Sequence, residues 1–292
     1  MVGSAPFNFV KYGKYTSLCF LALLGAGIVG YFVNGGFKYS VDFTGGTQVT
    51  FKFSQPVGSE DLKSALARNG WDDAVIREFS PTDIMVRVQE FAPDVAEFSV
   101  RLQQVLQKEI VGVTASIEEA NVVGPATGKT LRTNALIAFI LGLLIMLGYI
   151  AFRFWSVPYG VGAIVALAHD AVAILAVFAI LQREISPNLI CAILATLGYS
   201  INDTIVIFAR IRENFAKSKG ESPVTVVNQA IMQTLRRTTL TSFSTTLVVL
   251  AMFVFGGEAL RNLSLALLIG IVVGTYSSIF VASPVMLALR KV

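Results

Sequence analysis

The stretch that decides the fold is 187-PNLICAILATLGYSINDTIVIF-208, an apolar run in which Asp203 is the only charged residue. About 20 apolar residues cross the hydrocarbon core of a bilayer, so the run predicts a transmembrane helix. A carboxylate at bilayer depth costs roughly 2.5–3.5 kcal/mol on insertion scales, and such residues usually face a bundle interior, a partner or a water path. We therefore interpret Asp203 as a candidate for ion or proton coupling.

The composition of the whole chain indicates a polytopic membrane protein. Of its 292 residues, 54% are hydrophobic and 14% are charged, whereas a soluble domain carries about 25% charged residues. The net charge of +4 is small and spread over loops, which gives no case for nucleic acid as a partner. Cys19 and Cys191 lie in apolar segments and indicate no disulfide framework. With one histidine and no set of residues at ligand spacing, no metal site is predicted.

Six apolar stretches are long enough to span a bilayer. They are residues 16–34, 134–152, 157–181, 188–208, 239–256 and 263–287. The first has no cleavage site and reads as a retained signal-anchor helix. Basic residues of the short loops concentrate on one side, which the positive-inside rule makes cytoplasmic, together with both termini. That side holds Lys11, Lys14, Arg153, Arg210, Arg212, Lys217, Lys219, Arg236, Arg237, Arg290 and Lys291, and the other side's two short loops hold Arg183 and Arg261.

Residues 35–133 are polar and predict an extracytoplasmic α+β domain between segments 1–34 and 134–292. The elements expected are strand 47–53, helix 59–68, strand 73–79, strand 84–90, helix 93–109 and strand 112–119. Ser59 is expected to be the N-cap of the first helix, and Gly70 follows its end. The order β-α-β-β-α-β is typical of a ferredoxin-like domain.

Two polar stripes follow the fourth and fifth spans. Thr196, Ser200 and Asp203 share one helical face, because they are four and three residues apart. Tyr199 and Asn202 flank that face, while Arg237, Thr241 and Ser244 share a face of the fifth span. Asp203 lies five residues from the cytoplasmic end of its span, about 7.5 Å at 1.5 Å per residue, and Arg237 starts the next one. The Arg237 guanidinium is thus expected to approach the Asp203 carboxylate.

Each of these two residues also has a plainer interpretation. Arg237 fits a snorkelling residue at the interface. Asp203 fits a structural carboxylate that ties two helices together. An arginine partner favours the charged form of a carboxyl group, and an apolar surrounding favours the neutral form. A carboxyl group that is subject to both influences can bind and release a proton when its arginine partner moves.

His169 and Asp170 lie near the middle of the third span. Adjacent residues are about 100° apart on a helix, so the two are not expected to face the same way. They fit either a proton relay or a polar pair bonded to neighbouring helices. In the sixth span, Gly270, Gly274 and Ser278 recur every fourth residue, which indicates close helix packing.

Enzyme templates fail on this sequence. Residues 124–130, GPATGKT, resemble a phosphate-binding loop, but the glycines are separated by three residues and not four. No Ser/His/Asp set or paired-carboxylate site can be assembled. The sequence therefore predicts a protein that is not an enzyme.

The motifs of the chain resemble those of the SecF members of the SecD/SecF family. The resemblance covers essentially the whole chain. It rests on 42-DFTGGT-47 with Asp42, Gly45 and Gly46, on 166-ALAHD-170, 198-GYSINDT-204, 210-RIREN-214, 233-QTLRRT-238, 255-FGG-257 and 274-GTYSS-278. One departure is Ala209, where the family usually has an aspartate before Arg-Ile-Arg-Glu-Asn, so the contacts of that loop do not carry over.

The resemblance implies a member of the resistance-nodulation-division superfamily in the cytoplasmic (inner) membrane. It implies a complex with SecD that assists the SecYEG channel and the SecA ATPase in moving unfolded preprotein. The coupling ion would be the proton, with no other cofactor, and the residues matching Asp203 and Arg237 are those essential for coupling. His169, Asp170, Thr196, Ser200, Asn202, Thr241 and Ser244 remain candidates for the proton path or for helix pairing.

Two other functions stay open at this point. A small-molecule or lipid exporter of the same superfamily is disfavoured by the small external domain, because such exporters usually carry larger ones. A scaffold subunit that transports nothing would need the external domain but would not need Asp203.

Overall fold

The computed structural model describes residues 7–72, 74–110, 112–218 and 220–290, without the side chains of residues 258 and 259. Asp73, the first residue of the predicted strand 73–79, lies outside this part of the chain, as do Lys219 and Lys291 of the predicted cytoplasmic side. The helices are α1 Phe9–Val33, α2 Val41–Thr44, α3 Ser59–Arg68, α4 Val95–Glu109, α5 Pro125–Phe154, α6 Val157–Ile180, α7 Pro187–Lys217, α8 Pro223–Phe255, α9 Gly257–Ser277 and α10 Ser283–Leu289. A π-helical turn, Ser278–Ala282, joins α9 to α10, and the strands are β1 Gly46–Phe53, β2 Val75–Glu78, β3 Asp83–Val88 and β4 Ala115–Val123.

The chain divides into two compact units. Within the described residues, one unit contains residues 7–38 and 137–290, and the other contains residues 39–136. The first is a helical bundle and the second is an α+β domain.

Six helical segments of the described chain are long and apolar enough to cross a membrane, which confirms the predicted number. They are α1, α5, α6, α7, α8 and the segment Leu260–Leu289. Several are longer than predicted: α5 begins at Pro125, α7 continues to Lys217 and α8 begins at Pro223. Hydropathy detects only the apolar part of a helix, whereas the polar turns beyond it keep the same backbone hydrogen bonds.

Close contacts between glycines and neighbouring helices hold the bundle together. A Cβ built on Gly270 would lie 2.4 Å from Thr196 Cγ2, and one built on Gly274 would lie 2.8 Å from Ser200 Cβ. The small-residue stripe of α9 therefore packs directly on the polar stripe of α7. In the same way, a Cβ built on Gly27 of α1 would lie 2.6 Å from the Cβ of Ala176 on α6. Small residues at such positions let helix backbones come close in the absence of a hydrophobic driving force.

The α+β unit has one antiparallel sheet in the order β2-β3-β1-β4. In the β1–β3 pair, Thr47 lies opposite Val88 and Lys52 lies opposite Asp83. The alternating apolar residues of the strands pack against α3 and α4, with Phe51, Leu62, Ile84 and Leu102 fully buried. This is the ferredoxin-like arrangement that the element order predicted.

Details at the element ends differ from the prediction. The Ser59 N-cap is wrong, because Gly58 is the capping residue and Ser59 is the first helical residue. The Ser59 N–H instead donates to Glu78 Oε1 at 3.0 Å, which ties α3 to β2. Gly70 does follow the helix, with φ of 89°. β4 runs from Ala115 to Val123, three residues later than its predicted start and four beyond its predicted end.

The Asp42–Thr47 motif leads into β1. Asp42 lies in the short helix α2 and accepts a 3.0 Å hydrogen bond from Ser40 Oγ. Gly45 and Gly46 both have positive φ, 77° and 120°. A Cβ at Gly46 would lie 2.5 Å from the carbonyl oxygen of Val88 on the paired strand. The second glycine is therefore required by backbone conformation and by space.

Candidate functional site

A buried carboxylate, Asp170 of α6, joins three helices of the bundle. Its side chain is fully buried. Ser200 of α7 donates to Oδ2 at 2.6 Å, and Ser277 of α9 donates to the same oxygen at 3.0 Å. Buried charged groups are tolerated when such partners are present. Asp170 is thus the centre of a hydrogen-bonded network, which we call the Asp170 network and define as Asp170, His169, Ser200 and Ser277.

His169 contacts Asp170 directly, contrary to the expectation that the two face apart. Its Nδ1 lies 3.1 Å from Asp170 Oδ1. The Cβ atoms diverge as the helix geometry requires, but both side chains reach far enough to meet. An ionised carboxylate at this oxygen places the ring proton on Nδ1 and leaves Nε2 as an acceptor. Nε2 is buried and has no partner within the described part of the chain.

A cavity of 210 Å³ lies beside the His169 ring, between α1, α6 and α9. The ring of Phe20 packs on the imidazole with 4.0 Å between centroids, and the Tyr276 ring lies at 5.7 Å. Thr16 and Cys19 also line this cavity. The imidazole therefore faces an apolar space on one side and the Asp170 carboxylate on the other.

Asp203 lies one turn beyond Ser200 on the same buried face of α7. Only 4% of its surface is exposed. Its Oδ2 is buried, and no hydrogen-bond partner for it is found among the described residues. The side chain of Ser242 on α8 lies beside the carboxyl group, and Arg237 lies within range of a Coulombic interaction with it. Asp203 and Arg237 do not form an ion pair in the described structure.

The face that α8 presents to the bundle is not the predicted one. Arg237, Thr241 and Ser244 are exposed, so this stripe does not lie against α7. The residues one position further along, Thr238 and Ser242, are buried instead. Both sets repeat with helical spacing, so the sequence alone does not distinguish them.

Ser242 connects α8 to two other helices. Its Oγ lies 2.6 Å from Thr275 Oγ1 of α9 and accepts a 3.4 Å hydrogen bond from Tyr199 Oη of α7. Thr238 Oγ1 is buried and lacks a partner within the described chain. The surroundings of Asp203 thus contain hydroxyl groups from α8 and α9.

The remaining candidates occupy different surroundings. Thr196 is buried and donates to the Ile193 carbonyl of its own helix at 2.9 Å. Asn202 is exposed. Ser278 accepts a 3.0 Å hydrogen bond from Thr204 and donates to the Gly274 carbonyl at 2.8 Å.

Besides Thr238 and Ser242 of α8, sequence reasoning missed Thr204, Thr275 and Ser277 as site residues. The signal for two of them was present, because Thr275 and Ser277 follow Gly274 by one and three residues in a span whose small residues were assigned to packing alone. No group of three or more His, Cys, Asp or Glu residues within the described chain could hold a metal ion.

Comparison with known proteins covers both units. Residues 103–292 match the family model described as protein export membrane protein SecD/SecF, C-terminal, and residues 31–57 match the SecD/SecF GG motif. The chain belongs to the SecD/SecF family. The first match contains the whole Asp170 network and Asp203, and the second contains Asp42, Gly45 and Gly46 of this family member.

Relatives match this SecD/SecF chain over most of its length. It is 36% identical to the protein translocase subunit SecF of Thermodesulfovibrio yellowstonii, over 100% of this chain and 97% of that protein. It is 38% identical to SecF of Haemophilus influenzae, over 95% of this chain and 85% of that protein. These full-length matches confirm the resemblance to SecF.

The fold matches a solved structure of the same family. The crystal structure of SecDF from Thermus thermophilus, described as a translocon-associated membrane protein, matches with a TM-score of 0.86 and 37% identity. The match covers 97% of this chain and 38% of the SecDF chain. This family member therefore corresponds to about two fifths of that longer protein.

Proposed function

We propose that this protein is an auxiliary subunit of the Sec translocase that uses the proton-motive force to assist preprotein export. The support is that its relatives are named protein translocase subunit SecF or SecDF. Its role is in transport and involves no catalysis. The proton is the coupling ion and no other cofactor is needed. The protein lies in the cytoplasmic membrane, and both termini and the short loops rich in lysine and arginine face the cytoplasm.

The observation that carries the coupling part of the proposal is the unpartnered oxygen of Asp203. An ionised oxygen that is buried without a partner is energetically costly. A proton that binds Oδ2 removes the charge and creates a donor. The Ser242 hydroxyl lies beside the carboxyl group and donates to its ionised form, and by rotating it can instead accept from that donor. Protonation therefore removes a buried charge, one of whose oxygens lacks a partner among the described residues, and leaves a neutral group that can hydrogen-bond.

Arg237 provides the connection to helix movement. While Asp203 is ionised, its charge attracts the guanidinium on α8. Protonation removes that attraction, so α7 and α8 are free to shift relative to each other. One charge crossing the membrane yields about 2.3 kcal/mol per 100 mV, and about 5.5 kcal/mol moves an equilibrium from 1:99 to 99:1. Two or three protons, or repeated cycles, suffice.

The Asp170 network is the part of the bundle best suited to continue a proton path from Asp203. Ser200 belongs to the network and lies one turn from Asp203 on the same face. Hydroxyl groups both donate and accept, so Ser200 and Ser277 can pass a proton without becoming charged. The imidazole of His169 can take up a proton on Nε2, which is buried without a partner in the described structure.

We propose SecD, the SecYEG channel with SecA, and unfolded preprotein as partners, with the lipid bilayer around the bundle. Strand β4 is an edge strand of the external sheet, and an edge can accept an extended chain by strand addition. The partner assignment is tested by purifying the native complex from membranes and identifying its components. We expect SecD in equal amount, together with SecY. Self-assembly without SecD would contradict the assignment and favour an exporter.

A further inference from the structure

A pocket of 460 Å³ lies at the end of the helical bundle where α5 ends and α6 begins. Two arginines from different helices line it, Arg212 of α7 and Arg290 beyond α10. Both lie within electrostatic range of the Tyr159 hydroxyl of α6. The two guanidinium groups therefore converge on one small volume.

No carboxylate of the described residues forms an ion pair with the cations of this pocket. Within the described residues, neither Arg212 nor Arg290 forms an ion pair, whereas Arg210 on the same helix pairs with Glu213 at 2.8 Å. The Arg290 guanidinium lies over the Phe215 ring, 3.4 Å from its centroid. This stacking fixes its orientation without using its N–H donors. Two cations without an ion-pair partner among the described residues, one of them oriented by stacking, are suited to an anion with several oxygens.

The surroundings of the pocket are those of a membrane interface. Trp155 lines it and is 84% exposed, and the nearby side chains of Phe152 and Val157 are 73% and 76% exposed. Tryptophan is enriched where the hydrocarbon meets the headgroups, and basic pockets between membrane helices bind anionic headgroups. Exposed apolar side chains beside the two arginines fit the acyl chains of a lipid whose headgroup is the anion, and a free phosphate has no such chains.

We propose that this pocket binds the phosphate of an anionic phospholipid, with Arg212 and Arg290 as the ligating residues and Trp155 against the adjoining lipid. The site is separate from Asp203 and does not depend on proton coupling.

The test is native mass spectrometry of the full chain, purified with the subunit that accompanies it and exchanged into phosphatidylglycerol or phosphatidylethanolamine. We expect retained phosphatidylglycerol and little retained phosphatidylethanolamine. In the double variant Arg212→Gln/Arg290→Gln, retention of phosphatidylglycerol falls about thirtyfold, because each cation near an anionic lipid surface contributes about 1 kcal/mol, or about fivefold. Arg236→Gln is the matched control, since Arg236 is exposed and does not line the pocket.

Two results would overturn the proposal. One is equal retention of phosphatidylglycerol by the double variant and by the Arg236→Gln control. The other is release of the bound lipid by glycerol 3-phosphate at equal concentration, which would assign the pocket to a soluble phosphate. If the double variant is not monodisperse, the single variant Arg212→Gln is measured instead, and its retention of phosphatidylglycerol is expected to fall about fivefold.

Discussion

The Ser200 hydroxyl of α7 donates a 2.6 Å hydrogen bond to Asp170 Oδ2 of α6, deep inside the bundle. Ser200 also faces Gly274 of α9, where a side chain would collide with its Cβ. Ser200 thus contacts both the carboxylate of α6 and the backbone of α9 at a position of close approach. A movement of α7 relative to α6 and α9 would change both contacts together.

Ser200→Ala is expected to lower the free energy of unfolding in detergent by about 0.6–1.7 kcal/mol, the range for hydrogen bonds between membrane helices. The reason is that Oδ2 of Asp170 then keeps only its bond from Ser277. Ser244→Ala is the control, because Ser244 is exposed and bonds within its own helix. Equal stability of the two variants in thermal unfolding would show that the network is not structural.

Gly270→Ala is expected to destabilise the bundle by about 1–3 kcal/mol through overpacking. The new Cβ would lie 2.4 Å from Thr196 Cγ2, so α7 and α9 must separate. Gly198→Ala serves as the control, since no atom outside its own helix lies within 4 Å of the added Cβ. Thermal unfolding of both variants checks this, and an unchanged Gly270→Ala protein would contradict the close packing.

Gly46→Ala is expected to weaken the β1–β3 pairing of the α+β domain. Strained backbone conformations cost about 1–3 kcal/mol, and here the Cβ also meets the Val88 carbonyl oxygen at 2.5 Å. Gly70 also has a positive φ, but a Cβ added there meets no atom within 4 Å. Gly70→Ala therefore measures the cost of the backbone conformation without a steric clash. Hydrogen exchange of the β1 amides measures the difference. Equal loss of protection in the two variants would contradict the steric explanation.

Arg237→Gln is expected to abolish stimulation of translocation by a proton gradient while leaving ATP-driven translocation intact. The variant removes the cation that lies within range of a Coulombic interaction with Asp203. Arg236→Gln is the control, because the neighbouring arginine is also exposed but is not among the groups that act on Asp203. If the proton gradient stimulates translocation by Arg237→Gln as much as by Arg236→Gln, Arg237 has no role in coupling.

Much of the fold follows from local pattern. The six spans follow from hydropathy, and the order of the domain follows from period-2 strands that alternate with two amphipathic helices. The helix ends do not follow, because polar turns such as residues 223–238 of α8 continue the backbone hydrogen bonds outside the apolar segment. Ser59 looked like an N-cap by residue type, but Gly58 has the extended backbone conformation of that position.

The site is less predictable than the fold. Asp203 is evident because a charge in an apolar run is rare, and the face shared with Ser200 follows from helical spacing. The partners of Asp170 depend on which helices meet, which spacing does not reveal. The buried face of α8 was placed one residue away from Thr238 and Ser242, because this helix carries hydroxyl groups on both faces and only tertiary packing distinguishes them.

The central claim is that Asp203 is the proton-binding group, and it is tested most directly in vesicles that contain the full complex. Preprotein translocation is measured with and without a proton gradient for the wild type and for Asp203→Asn, with Asn202→Ala as the control on the exposed face of the same helix. We predict that Asp203→Asn retains translocation driven by ATP but loses the stimulation by the gradient, while Asn202→Ala keeps it. Stimulation of Asp203→Asn equal to that of the wild type would contradict the account.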